Sequence, residues 1–122
     1  MFQRCLGREA APKSAAALNR RSSQGETRTM ITVIAIVRAK PGMGPALEAD
    51  FKDWAAVVKA KEPGTLTYTL SRSREEPELY YALETYADEA AVEAHMANFA
   101  ARPAGPDLAV GPPKIMVLDK IV

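Results

Sequence analysis

The sequence has very little of the chemistry that builds metal and thiol sites. Its 122 residues include one cysteine, one histidine and one tryptophan. A zinc or iron–sulfur centre needs a cluster of Cys and His ligands, so such a site has nothing to build on. The single cysteine, Cys5, also has no second cysteine with which to form an internal disulfide. We therefore expect a domain that works without sulfur ligands and with one imidazole per chain.

Long apolar runs and a strong excess of one charge are missing as well. No apolar stretch approaches the roughly 20 residues that cross a bilayer, and the formal net charge is +1. The chain therefore offers no argument for a membrane or nucleic-acid partner, and we expect a cytoplasmic protein. Its 48% hydrophobic and 25% charged residues are typical of one globular domain.

The charge is unevenly distributed along the chain. Residues 1–29 carry six Lys or Arg against two Glu, whereas residues 30–122 contain more acidic than basic side chains. The basic segment has three interpretations: an organelle transit segment, a disordered basic tail, or an upstream start before a natural beginning at Met30. The last two are favoured. The folded domain is predicted to span residues 30–122.

Residues 30–122 alternate between strand and helix patterns. The predicted elements are a strand over 30–39, a helix over 45–61, strands over 65–71 and 79–86, a helix over 88–99 and a strand over 114–122. This β-α-β-β-α-β order predicts an α+β, ferredoxin-like sandwich, in which two helices cover one face of a four-stranded antiparallel sheet. The other face stays apolar along several strands, so we expect a homodimer that forms through the sheet.

The one histidine, His95, lies on the apolar side of the second predicted helix. Val92, Met96 and Phe99 form the stripe around it at helical spacing. A buried, hydrogen-bonded core histidine is one interpretation of this placement. The other is a reactive group, because histidine is the side chain whose ordinary pKa lies near neutrality.

Five short motifs follow one another in a specific order over this domain. They are Met30-Ile-Thr-Val-Ile-Ala35, Lys40-Pro-Gly42, Glu62-Pro-Gly-Thr-Leu-Thr-Tyr68, Glu84-Thr-Tyr86 and Ala94-His-Met96. Together they resemble the antibiotic biosynthesis monooxygenase domain, over residues 30 to about 122. The resemblance implies a dimeric α+β barrel. It also implies oxygenation of a small aromatic, phenolic or quinol substrate by molecular oxygen, without a metal, flavin or haem cofactor.

The resemblance also implies which residues form the site. His95 matches a family histidine and would accept a phenolic proton as a general base, while Tyr68 and Tyr86 would hydrogen-bond a quinol oxygen. Each of these side chains can instead be ordinary packing. Glu84 would orient His95 or pair with Arg72 across the strands. The expected substrate-binding residues are Phe51, Trp54, Val58, Arg72, Glu84 and Phe99.

Two departures from the family pattern bear on the substrate. Haem-degrading relatives use an asparagine in the first strand and a tryptophan, whereas the first strand here has no asparagine and Tyr86 occupies the tryptophan position. Haem degradation is therefore disfavoured. A second family histidine after His95 is also absent, and residues 100–111 are short and proline-rich. The alternative function is a non-catalytic small-molecule-binding or stress-response dimer of the same fold.

Overall fold

The fold has the predicted order of strands and helices. The computed structural model describes residues 29–122, so the predictions for Cys5 and for the basic segment before Thr29 fall outside the described residues. The elements are β1 (Ile31–Arg38), α1 (Gly44–Lys61), β2 (Thr65–Arg72), β3 (Leu79–Tyr86), α2 (Glu89–Ala100) and β4 (Lys114–Asp119). Each lies within a few residues of its predicted range, and β4 ends at Asp119 rather than at Val122.

The four strands form one antiparallel sheet in the order β2-β3-β1-β4. Both helices lie on one side of it, where they contact β2 and β3. This arrangement confirms the predicted α+β ferredoxin-like fold. Among residues 29–122, no helix is long and apolar enough to cross a membrane.

The ends of the helices follow from local sequence. Pro45 occupies the first turn of α1, where a missing N–H costs nothing. Asp88 is the N-cap of α2, and its carboxylate accepts a hydrogen bond of 2.9 Å from the Ala91 N–H. After α1 the chain turns at Gly64, where an added Cβ would lie 2.6 Å from the Cβ of Ala91. The turn after α1 is therefore packed directly against α2.

The two faces of the sheet differ in what covers them. On the helix side, Ile31, Val33 and Tyr86 form a buried cluster against which Ala91 and Val92 of α2 pack. The opposite side, which we call the outer face, is covered by none of residues 29–122. Its centre is a row of cross-strand partners, Leu83, Ile34 and Met116. Within this part of the chain, β1 is therefore covered on one side only.

Strand β2 contains a β-bulge near its start. The pairing with β3 shifts register between Thr65 and Thr67, so Leu66 does not continue the face formed by Tyr68 and Leu70. The side chain of Leu66 is 47% exposed. A β-bulge of this kind re-aims the residues that follow it, and here it brings Tyr68 opposite Glu84 on the helix side of the sheet.

Candidate functional site

His95 is buried between α2 and the sheet, with 4% of its surface exposed. Three aromatic rings surround the imidazole. Their centroids lie 5.2 Å away for Tyr68, 5.4 Å for Tyr86 and 6.4 Å for Phe99. The structure thus brings together the three residues predicted as catalytic, His95, Tyr68 and Tyr86.

The partner of His95 is Glu62, the residue that ends α1. The His95 Nδ1 atom lies 2.8 Å from Glu62 Oε1, and both side chains are almost fully buried. The same carboxyl accepts hydrogen bonds from Thr65 Oγ1 at 2.7 Å and from Asn98 Nδ2 at 2.5 Å. Glu62 is therefore held by three donors from two elements, His95 and Asn98 of α2 and Thr65 of β2.

These contacts determine the proton position on the imidazole. Burial favours the neutral form of Glu62, but the hydrogen bonds from Asn98, Thr65 and His95 outweigh it and lower the pKa of the carboxyl. An ionised carboxylate can only accept hydrogen bonds, so Nδ1 of His95 carries the proton that points at Glu62. In a neutral imidazole the other ring nitrogen, Nε2, is an acceptor, and no described residue donates a hydrogen bond to it. This is the tautomer that a general base requires.

Glu84 is a second buried carboxyl beside the histidine. It lies on the helix side of β3 with 6% of its surface exposed, and its Oε1 accepts a hydrogen bond of 2.6 Å from the Tyr86 hydroxyl. Burial raises the pKa of Glu84, opposed in part by this hydrogen bond and by His95. Neither contact predicted for Glu84 is present, because Glu62 orients His95 and Arg72 pairs with Glu48 at 2.8 Å.

The two tyrosines remain neutral donors. Burial is the largest cause that raises the pKa of both Tyr68 and Tyr86, and the nearby Glu84 charge adds to it. The indole of Trp54 and the charge of Arg102 lower the pKa of Tyr68, but by less than burial raises it. Both phenols therefore keep their protons at neutral pH. The Tyr86 proton is already donated to Glu84, so Tyr68 is the phenol that can donate to an oxygen atom of a ligand.

Trp54 closes one end of this cluster. Its ring makes an edge contact of 5.9 Å with Phe99, and the Arg102 guanidinium lies 4.9 Å above it while pairing with Asp50 at 2.7 Å. Among the buried side-chain nitrogen and oxygen atoms of residues 29–122, only the Trp54 Nε1 atom has no hydrogen-bond partner. Such a buried donor is rare in proteins and calls for an acceptor.

Two open grooves flank the cluster. The larger, of about 460 Å³, runs between α1 and β2 and reaches Tyr68, which stacks on Phe51 at 4.9 Å. Its far end carries Arg72 and Tyr80, which both donate to Glu48. The smaller, of about 240 Å³, is lined by Asp50, Phe99, Arg102 and residues 103–106. His95 lines neither groove and lies one aromatic ring behind each.

The predicted substrate-binding residues fall into two groups, those that line a groove and those that do not. Phe51 and Arg72 line the larger groove and Phe99 lines the smaller one, whereas Trp54, Val58 and Glu84 are buried and line neither.

Sequence reasoning missed Glu62, Asn98, Arg102 and Glu48 as members of the site. Two signals were available: Glu62 opens the Glu-Pro-Gly motif, and Asn98 follows His95 by three residues on one helix face. Within residues 29–122, no three His, Cys, Asp or Glu side chains are placed to share a metal ion.

Comparison with known proteins identifies the family. The antibiotic biosynthesis monooxygenase family matches residues 30–104. A candidate antibiotic biosynthesis monooxygenase from Caulobacter crescentus is 36% identical, with a TM-score of 0.64 over 78% of this chain and 92% of that chain. No curated protein matches the chain. The chain belongs to the antibiotic biosynthesis monooxygenase family.

Two further solved structures are similar to the chain. A protein from Pseudomonas aeruginosa is 30% identical, with a TM-score of 0.63 over 77% of this chain and 96% of that chain. A heme-degrading protein from Mycobacterium tuberculosis is 22% identical, with a TM-score of 0.59 over 79% of this chain and 96% of that chain. At that identity the second similarity shows the fold alone.

Proposed function

We propose that this protein is a monooxygenase that inserts oxygen from O2 into a small phenol or quinol without a metal or organic cofactor. The observation that supports this most directly is the buried Glu62–His95 pair among aromatic rings. A carboxylate that holds Nδ1–H leaves Nε2 as the base, in the arrangement used by general-base histidines. A phenol that loses its proton becomes electron-rich enough to reduce oxygen.

The substrate is proposed to enter through the larger groove. Its volume of about 460 Å³ lies in the range of small-molecule sites, and the stacked rings of Phe51 and Tyr68 offer a flat aromatic wall. For the substrate oxygen to reach His95, the Tyr68 ring has to turn aside. Catalytic contacts often tighten only when the substrate is bound.

The polar atoms around the imidazole suit a phenolic oxygen. The Tyr68 hydroxyl is a neutral donor, and the neighbouring Trp54 indole N–H is a buried donor that makes no hydrogen bond of good geometry. A substrate oxygen placed between them would accept a hydrogen bond from each, while His95 takes the phenolic proton of the substrate. Hydrogen-bond donors arranged in advance around a developing negative charge are a strong source of rate enhancement.

Oxygen uptake with a panel of naphthols and naphthoquinols tests this proposal. We expect the wild type to consume O2 with at least one of these compounds and His95→Gln to lose about 100-fold in kcat, the usual scale for a general base. Tyr68→Phe should lose less, and Tyr81→Phe, on the outer face, serves as the matched control with unchanged kcat. Equal rates for wild type and His95→Gln would remove His95 from the mechanism.

A binding protein without catalysis is the second candidate. The observation that favours it is that His95 lines neither groove, so a ligand can occupy the larger groove without touching the imidazole. In that case a naphthol would bind with equal affinity to wild type and His95→Gln, as measured by calorimetry, and no compound would give oxygen uptake.

The functional unit is proposed to be a cytoplasmic homodimer joined through the outer face. Support comes from the apolar row Leu83, Ile34 and Met116, which no part of the described chain covers. Leu83 is 40% exposed and the neighbouring Leu118 is 44% exposed. An apolar surface of this kind on a sheet commonly marks a protein interface.

A further inference from the structure

We propose that Glu84 is a second catalytic residue, the acid that protonates the peroxide formed when O2 adds to the substrate. This inference rests on the proposed oxygenase function and assigns a role that the Glu62–His95 pair cannot fill. It starts from the placement of two buried carboxyls near one imidazole.

The first observation is the asymmetry between these carboxyls. Glu62 accepts from Thr65, Asn98 and His95, so its hydrogen-bonding capacity is largely used and its charge is stabilised. Glu84 accepts from the Tyr86 hydroxyl alone. A buried carboxyl with one donor is poorly solvated as an anion and readily holds a proton. Two carboxyls whose surroundings move their pKa values in opposite directions are the arrangement from which acid and base roles are assigned.

The second observation is that one oxygen of Glu84 has no partner. Its Oε1 accepts from Tyr86, whereas its Oε2 makes no hydrogen bond with any residue among 29–122. Nε2 of His95 likewise has no hydrogen-bond partner among these residues. Glu84 and His95 therefore each keep one polar atom available for a ligand.

The register of the sheet places Glu84 beside the proposed point of reaction. Glu84 is the cross-strand partner of Tyr68 on β2 and of Val33 on β1. Its charge raises the pKa of the Tyr68 hydroxyl, and its electrostatic interaction with His95 lowers the pKa of Glu84. A glutamate in this position has no packing role that an apolar residue would not fill better, since burying a carboxyl costs free energy.

The proposed chemistry balances without a further reactant. His95 takes the phenolic proton, and the ring carbon of the phenolate forms a bond to O2, which leaves a peroxide anion. Glu84 gives its proton to the outer peroxide oxygen. The C–H proton at that carbon then returns to Glu84 while the O–O bond breaks and the carbon becomes a carbonyl. The departing hydroxide takes the proton from His95 and leaves as water, so the substrate is oxidised to a quinone and both residues are restored.

This role makes the rate depend on the protonation of Glu84. The titratable groups that face it are Tyr86 on its own strand, Tyr68 on β2, His95 on α2 and Glu62 at the end of α1, while β1 presents Val33. The acid is lost as the pH rises, so kcat should fall on the alkaline side. Because the Tyr86 hydrogen bond lowers the pKa of Glu84, Tyr86→Phe should move this alkaline limb to higher pH.

The test compares Glu84→Gln with the wild type on a phenol that the wild type oxidises. We expect at least a 10-fold lower kcat with little change in KM, because the scale for a general acid is 10²–10⁴. The alkaline limb should disappear, and a larger share of the consumed O2 should appear as hydrogen peroxide. Glu93→Gln, an exposed glutamate on α2, is the matched control and should match the wild type in all three readouts.

A measurement that does not depend on turnover completes the test. Infrared difference spectra of wild type minus Glu84→Gln at neutral pH should contain the C=O band of a protonated carboxyl. An unchanged alkaline limb in Glu84→Gln, or no such band, would overturn the role of Glu84 while leaving the oxygenase proposal intact. A wild type that consumes no O2 with any phenol would instead overturn the oxygenase proposal, and the acid role with it.

Discussion

The two faces of the sheet each carry side chains that are unusual for their surroundings. On the side that the helices cover, β2 and β3 carry Tyr68, Glu84 and Tyr86, and α2 adds His95. On the uncovered side, the central strands carry Leu83 and Ile34. A soluble monomer usually buries its aliphatic residues and exposes its carboxyls. The contrast supports the proposals of a chemical site on the inner side and of a partner surface on the outer side.

The largest effect is expected when the outer face is charged. Ile34→Glu places a carboxylate in the middle of the apolar row, and a two-fold interface would bring two such charges together. We expect the dimer to be lost, as measured by analytical ultracentrifugation at micromolar concentration. Ala56→Glu on the exposed side of α1 adds the same charge and should leave the assembly unchanged. A wild type that is already monomeric would refute the expected dimer.

Removal of the carboxylate that binds His95 is expected to be the next largest effect. Glu62→Ala leaves the donors of Thr65, His95 and Asn98 without an acceptor, so we expect a loss of about 3 kcal/mol in the free energy of unfolding. Urea denaturation measures this loss. Glu93→Ala, an exposed glutamate, should stay within about 0.5 kcal/mol of wild type, and similar values for the two variants would contradict the account of Glu62.

The contact between the turn after α1 and α2 gives a smaller but specific prediction. In Gly64→Ala the new Cβ would lie 2.6 Å from the Cβ of Ala91, so α2 has to shift, at a cost of about 1–3 kcal/mol. Gly105→Ala is the matched control, since no atom lies within 4 Å of its Cβ. Its unfolding midpoint in urea should equal or slightly exceed that of wild type.

The smallest effect is expected from neutralising Glu84, and its sign is opposite to that of Glu62. Because the pKa of Glu84 is raised in the folded protein, ionisation opposes folding at neutral pH and this opposition is relieved as the pH falls. Glu84→Gln should therefore be slightly more stable than wild type at pH 7, and the difference should shrink towards pH 5. A variant that is less stable at both values would show that the Glu84 charge supports the fold.

The same relation between pKa and stability predicts how the contribution of Glu62 changes at low pH. Its pKa is lowered in the folded state, so its contribution to stability is present above the ordinary pKa of a glutamate and is lost as the pH falls below that range. The stability gap between wild type and Glu62→Ala, measured by urea denaturation at several pH values, should narrow on acidification.

Local sequence predicted the elements well because their causes are local. Pro45 and Asp88 act on the turns that contain them, and the strand patterns follow the two-residue period of the backbone. The bulge at Leu66 escaped prediction because alternation continues through it in the sequence. The fold and the outer apolar row could be predicted for the same reason, since both follow from the order of the segments and from their hydrophobic period.

The site was predicted in part. His95, Tyr68 and Tyr86 were expected together and lie together. Glu84 was expected either to orient the histidine or to pair with Arg72, but the tertiary structure brings Glu62 to the histidine from 33 residues away. Spacing along the chain cannot distinguish two glutamates that both approach one helix, because the choice depends on how tightly the Gly64 turn packs on α2.

The sequence alone thus determined that one imidazole would lie on the inner side of a ferredoxin-like sheet, in a chain without the ligands for a zinc or iron–sulfur centre. Hydrophobic period, helix caps and residue counts are enough for that. Only the tertiary structure decided for which carboxyl the pKa is lowered and for which it is raised. That choice depends on burial and on the number of donors around each oxygen, and both are properties of groups brought together by folding.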